Sequence, residues 1–305
     1  MLWAVGDDVD SRVRAAAMAW LDQRPAPDDP VRRTDLLGGF AFEGRTFPLI
    51  DNQLGIRKPR QLRAALSIMT TYTPGRRPVP YEDTIGPDRL LRYKYQGTDP
   101  DLYTNAGLRN AMRLELPLIW FVGVQPGMYL PIYPVWIAGD EPDRLQAVVA
   151  LNEDQRHFAD HHVPTEVERE YAERITMQRL HQPVFRQRVL LAYETSCAMC
   201  RLRHRSLLDA AHIVGDREER GIAAVSNGLA LCKIHHAAYD DHILGVRPDF
   251  VVEVRTDILR EIDGPMLKHG LQEMHGQRLV VPSRRADHPD RDLLAESYER
   301  FRAVG

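Results

Sequence analysis

Apolar positions along the chain follow helical spacing at first and strand spacing later. Residues 9–23 (VDSRVRAAAMAWLDQ) are Ala-rich and amphipathic, and predict a helix capped by Asp10 or Ser11. The prolines of RPAPDDP end it and mark a linker. In GGFAFEGRTFPLI, Phe40, Phe42 and Phe47 alternate around Glu43-Gly44, the pattern of a hairpin. RQLRAALSIM reads as a short amphipathic helix or helical turn. From Leu90 onward, LLRYKYQG predicts a strand, GLRNAMRLE a short helix and LPLIWFVGV a buried strand. MYLPIYPVWIAG and LQAVVAL add further strands, set apart by Gly, Pro and Asp. Many short strands with such turns predict a curved sheet or barrel over residues 35–152.

A polar helical stretch over residues 165–193 then leads straight into Cys197. The tail mixes a strand (FVVEVR), a helix (GPMLKHGLQEM), a strand (QRLVVP) and a final helix (DLLAESYERFRA). The expected organisation is α+β. It has an N-terminal helix and linker over 1–30, a sheet domain over 31–155 and a helical linker over 156–192. A compact second domain over 193–245 and a C-terminal α/β extension over 246–305 complete it.

A length of 305 residues suits two domains rather than one. No run of eighteen apolar residues occurs, so no membrane-spanning helix is expected. Asp7, Asp8 and Asp10 interrupt any signal-peptide pattern, and a cytoplasmic protein is expected. The net charge of −3 excludes a chain that coats itself with nucleic acid, so phosphate contact must come from local clusters. Arg57, Lys58, Arg60 and Arg63 form one, Arg76 and Arg77 a second, and Arg201, Arg203, His204 and Arg205 a third.

All three cysteines fall in one pattern, Cys197-x-x-Cys200 followed by Cys232-x-x-His235. Without an export signal, such pairs favour metal over disulfides. Three thiolates and an imidazole suit tetrahedral Zn²⁺, and four protein ligands leave no place for water, which makes the site structural.

Between the ligand pairs lie DAAHI (Asp209 to Ile213), Asn227-Gly228-Leu229 and LCKIHHAAYD. The order His212, Asn227, His236 inside this Cys/His frame resembles the HNH, or ββα-metal, nucleases. The resemblance implies that His212 is the general base, that Asn227 braces the loop orienting it, and that His236 ligates a catalytic divalent ion such as Mg²⁺ or Mn²⁺. Asp240 follows His236 by four positions, on the same helix face, and is a second ligand candidate. Neighbouring His235 and His236 point about 100° apart on a helix, so one can serve zinc and the other the reaction centre. The sequence departs from the family where many members carry a metal ligand just before the base; here that residue is Ala211. Strand alternation puts Asp209 on the face opposite His212.

The segment YKYQGTDPDLYTNAGLRNAMRLELPLIWF more loosely resembles SRA domains, which read 5-methylcytosine. The resemblance implies a PUA-like fold that flips the modified base out of the duplex. Tyr95 would stack on it, with Gln96, Tyr81 and Asp83 completing the pocket. Trp120 and Trp136 read as core. Together the two resemblances point to a modification-dependent (type IV) SRA-HNH restriction endonuclease, acting on double-stranded DNA as a homodimer. The alternatives are an HNH nuclease with a sequence or phosphorothioate reader, and a zinc-stapled DNA-binding protein that does not cleave.

Overall fold

The computed structural model describes residue 6 and residues 8–73, 85–158, 165–216, 218 and 220–304. The chain divides into two compact units. Among the described residues, one takes in those up to 184 and the other those from 185 onward.

In the first unit, helix α1 (Val9–Asp22) has its cap two residues before Asp10, the earlier of the two expected caps. Asp8 is the N-cap and accepts from the N–H groups of Asp10 and Ser11. Strand β1 (Val31–Arg32), helix α2 (Arg33–Gly38) and the hairpin β2 (Phe40–Phe42) and β3 (Arg45–Phe47) follow. The predicted hairpin forms with Phe40 opposite Phe47, and their rings stack.

The sheet itself uses β4 (Ile56–Arg57), β5 (Ser67–Thr70), β6 (Leu91–Lys94), β7 (Leu118–Gln125), β8 (Met128–Glu141) and β9 (Gln146–Ala150). Helix α3 (Tyr103–Arg113) lies between β6 and β7 in sequence. Strand order is β4-β5-β7-β8-β9-β6, with β1 also paired to β8. Strand β8 is long enough to pair with β7 along its first half and β9 along its second. Register shifts near Trp120, Gly123 and Ile137 bend these ladders. Such bulges increase local twist, and the sheet curls into a half-barrel.

One expectation is corrected here: RQLRAALSIM is not helical, and its last residues form β5, parallel to β7. Ile68 and Ser67 are fully enclosed, and burial on both faces outweighs the local helical pattern. Helices α4 (Glu153–Phe158) and α5 (Glu166–Thr176) follow. A π-helical turn, Met177–His181, joins α5 to α6 (Gln182–Ala192). Arg179 in that turn donates to the carbonyls of Tyr133, Pro134 and Leu151.

The second unit is built on β10 (Leu208–His212), β11 (Gly228–Cys232) and α7 (Lys233–Asp240), a ββα unit. Around it stand the small ladder β12 (Leu244–Val246) and β13 (Val252–Val254), then α8 (Thr256–Arg260), α9 (Pro265–Gly270) and α10 (Arg291–Val304). One hydrophobic core runs from Phe185 through Leu229 and Tyr239 to Leu279 and Leu294. The residues of QRLVVP form no strand, only a bridge between Arg278 and Val251. No helix among the described residues is long and apolar enough to cross a membrane.

A buried ion pair fastens α1 to the first unit. Arg14 is fully buried and bonds Asp10, the Pro117 carbonyl and the Ala65 carbonyl. Burial lowers the Arg14 pKa to about 10, yet Asp10 beside it keeps the guanidinium charged at neutral pH. Asp10 also accepts from the N–H groups of Arg63 and Ala64. Removing one partner strands a charge inside, at a cost of about 3–5 kcal/mol. Arg14→Ala is therefore expected to lose stability of that order in urea denaturation, and a loss below about 1 kcal/mol would show that the pair does not fasten α1.

Candidate metal centre and active site

The geometry of the metal frame begins where β11 becomes α7. Cys232 is both the last residue of the strand and the N-cap of the helix, so His235 sits one turn inside it. Cys197 and Cys200 lie on the turn that follows α6, where the Ala198 N–H donates to the Ala230 carbonyl of β11. The ligand atoms of Cys197, Cys200, Cys232 and His235 all lie within 4.8 Å of one another. The Nδ1 of His235 is 3.4 Å from the Cys197 sulfur and 3.2 Å from that of Cys232.

Two observations show that this set fits a thiophilic ion. First, the other ring nitrogen of His235, Nε2, lies 2.7 Å from the Gly270 carbonyl. That carbonyl can only accept, so it fixes the proton on Nε2 and leaves the Nδ1 lone pair facing the sulfurs. Second, three sulfurs and one imidazole nitrogen come together with no hard oxygen donor among them, the donor set of a soft, tetrahedral ion. Such donors suit Zn²⁺.

The candidate catalytic residues gather beside it. His212 ends β10 opposite Gly228, and α7 packs on both strands. The imidazole of His212 is half-buried, and burial pushes its pKa below the usual value, opposed by Asp216 and Asp240 and helped by His236. At neutral pH it is therefore uncharged and able to accept a proton. Asn227 is buried and closes the loop between the strands. Its Oδ1 accepts from the Val214 N–H at 2.9 Å, and its Nδ2 donates to the carbonyls of Val214 and Ile222. On α7, His236 Nε2 and Asp240 Oδ2 are 3.3 Å apart, as the four-residue spacing requires. Such a pair could serve a hard divalent ion, which keeps several waters.

Asp209 does not join that pair. Its carboxylate is bridged by Arg186 at 3.1 Å and Lys233 at 3.3 Å. Burial would raise its pKa, but the Ala210 N–H and these two cations hold it below the ordinary range. Phe185 was not visible in the sequence pattern, yet its ring lies 4.0 Å from that of His212, nearly parallel at 9°. Only its place on the helix entering the frame hinted at proximity.

The other candidates are spread through both units. Arg201 and Arg203 are exposed, whereas Arg205 bonds Gln187 and Thr195. Arg57 is held by Asp51 and the Pro48 carbonyl, Lys58 by the Leu62 carbonyl, and Arg63 by Asp8 and Asp10, leaving Arg60 exposed. Tyr81, Asp83, Arg76 and Arg77 lie outside the described residues. Tyr95 is 7% exposed and donates its hydroxyl to Asp140. Gln96 accepts from the Gly55 N–H, while Asn105 clamps both backbone groups of Gln96. Trp120 and Trp136 are core residues. A pocket of about 460 Å³ opens beside Gly55, walled by Arg33, Asn52, Gln53, Met69, Thr71 and Tyr129. A side chain at residue 55 would collide with the Tyr93 hydroxyl, 2.7 Å from its first carbon, so the glycine keeps this wall thin.

The metal frame makes a direct expectation. Purified protein carries one equivalent of zinc by elemental analysis, and Cys197→Ser or Cys232→Ser loses it together with cooperative unfolding of the second unit. A wild-type protein without any thiophilic metal would contradict the frame.

No curated protein matches the chain. One solved structure, a modification dependent TagI restriction endonuclease, aligns over 81% of this chain and 85% of that chain at 18% identity. Its TM-score of 0.28 is too low for the likeness to carry an argument. The informative match is local: the family model HNH_2, described as HNH endonuclease, covers residues 197–247. That span begins at Cys197, the first residue of the Cys/His cluster, and contains His212, Asn227, His236 and Asp240. Residues 197–247 are an HNH endonuclease domain, and the chain is an endonuclease.

Proposed function

We propose that this protein hydrolyses phosphodiester bonds of double-stranded DNA, with His212 as general base. The observation that carries this is the half-buried His212 beside the His236–Asp240 pair, within one ββα unit, where burial favours its neutral form. The imidazole takes a proton from water as the water oxygen attacks phosphorus. The bond from phosphorus to the leaving sugar oxygen then breaks, and that oxygen is protonated by solvent. His236 and Asp240 would hold Mg²⁺, Mn²⁺ or a similar ion, which supplies positive charge at the phosphate. Asn227 fixes the loop that follows His212 by three side-chain bonds to backbone. Exposed Arg201, Arg203 and Arg60 would meet flanking phosphates.

We further propose that the first unit, spanning the sheet over residues 31–155, reads a modified base, 5-methylcytosine or a related 5-modified cytosine. Its support is the SRA-like segment from Tyr93 to Phe121 and the half-barrel that this segment helps to build. The open pocket beside Gly55 is the place the geometry offers for a flipped base, with Gln96 bracing its wall from behind. Tyr95 is buried and bonds Asp140, and Tyr129, which borders the pocket, is buried as deeply, so either ring must be uncovered before a base can stack on it. A homodimer follows from the chemistry, because one such centre cuts one strand. Cysteines confined to the metal frame fit a reducing, cytoplasmic setting.

Three measurements check this reading. His212→Ala should lower single-turnover cleavage by at least about 100-fold while duplex affinity stays within about twofold. Near wild-type cutting by that variant would remove His212 from the mechanism. In the wild type, cleavage should fall as pH drops through a value below the ordinary 6.5, since burial favours the neutral base. An acid limb above 6.5 would contradict the assigned environment. Finally, methylated, hydroxymethylated, phosphorothioate and plain duplexes should separate, with 5-modified duplexes bound at least about tenfold tighter than plain. Equal binding would leave the nuclease standing and remove the base reader.

A further inference from the structure

A general base works only if its acceptor nitrogen is held toward the water it deprotonates. In many sites that orientation comes from a hydrogen bond to the other ring nitrogen. Among the described residues, no side chain or backbone group bonds the His212 imidazole, although Asp216, His236 and Asp240 lie close enough to act on it through charge. What touches it face to face is Phe185, with ring centroids 4.0 Å apart and planes within 9°.

That contact is built rather than incidental. Phe185 is 3% exposed and comes from α6, outside the span of the HNH family match. It reaches His212 because the residue opposite His212 in the β10–β11 ladder is Gly228. A Cβ on residue 228 would stand 2.9 Å from the tip of the Phe185 ring and 2.5 Å from a Val189 methyl. The ring therefore occupies space that any other residue at 228 would claim. Tyr193, one helical turn past Val189, donates its hydroxyl to the Gly228 carbonyl and holds the strand against α6.

We propose that Phe185 is the positioning residue of the catalytic base, its ring fixing the plane in which the His212 imidazole takes the proton. A stacked ring covers one face of the imidazole and blocks rotation out of that plane. It leaves both nitrogens, which lie at the rim, free for water. This is orientation by a flat apolar surface in place of a hydrogen bond. The proposal rests on His212 acting as the base.

The test compares Phe185→Leu, Phe185→Met and Phe185→Tyr in the full-length, zinc-loaded protein. Readouts are single-turnover cleavage with Mg²⁺ or Mn²⁺, duplex affinity, zinc content and the ¹H shifts of the His212 ring, assigned by comparison with His212→Ala. Leu and Met should retain zinc and affinity yet lose about 10- to 100-fold in cleavage rate, the scale of a misoriented catalytic group. They should also lose the upfield ring-current shift of the His212 protons. Tyr, which keeps the plane, should restore the rate to within about threefold of wild type. Wild-type cleavage by Phe185→Leu or Phe185→Met would overturn the proposal. So would loss of zinc in both, because Phe185 would then be a core residue and nothing more. Wild-type cutting by His212→Ala in the same assay would instead sink the base assignment, a distinguishable failure.

Discussion

The second unit depends on the junction at Cys232, where a strand ends, a helix begins and a candidate metal ligand sits on both. Pairing with Leu208 fixes Cys232 in the ladder, and its cap position fixes the phase of α7. His235 then turns toward the sulfurs and His236, about 100° further round, turns toward Asp240. A one-residue slip in the helix would exchange the two histidines. Holding that phase is the structural task of the cluster, and the chemistry follows from it.

The segment after residue 247 belongs to the same construction. The Gly270 carbonyl sets the tautomer of His235, and Ser297 bonds the buried Tyr239 hydroxyl of α7 at 2.7 Å. The Asp290 N–H, at the start of α10, donates to the Ser226 carbonyl beside Asn227. Arg300 pairs with Glu218 in the loop after His212. With Leu279, Leu293 and Leu294 in the shared core, the extension supports zinc ligand, bracing loop and helix together.

Much of this site was legible because its residues are tied to fixed spacings. Cys197-x-x-Cys200, Cys232-x-x-His235 and the four-residue step from His236 to Asp240 each dictate a local geometry that hardly depends on the rest of the fold. Asn227 has no such spacing and was legible only through the resemblance to HNH nucleases; it bonds the backbone of Val214 and Ile222. The contacts that escaped notice are made by groups without a sequence signature. Gly270 contributes a backbone carbonyl, and Phe185 is one apolar residue among several on α6. In the first unit, the long strands announced themselves by apolar runs. RQLRAALSIM misled because sheet burial of Ile68 overrides a helical pattern only ten residues long. Tyr95, the stacking candidate of the SRA resemblance, follows β6 directly, but Asp140 claims its hydroxyl, and no local pattern reports that partner.

The central claim is that a zinc-held ββα unit presents a working hydrolytic centre. Its most direct test is cleavage of supercoiled plasmid, modified and plain, by purified wild-type protein whose zinc content has been measured. Divalent ion is then titrated in. Nicked or linear product that appears only with added Mg²⁺ or Mn²⁺, while zinc stays at one equivalent, is the expected result. Zinc-loaded protein that leaves every plasmid intact at all ion concentrations would contradict it.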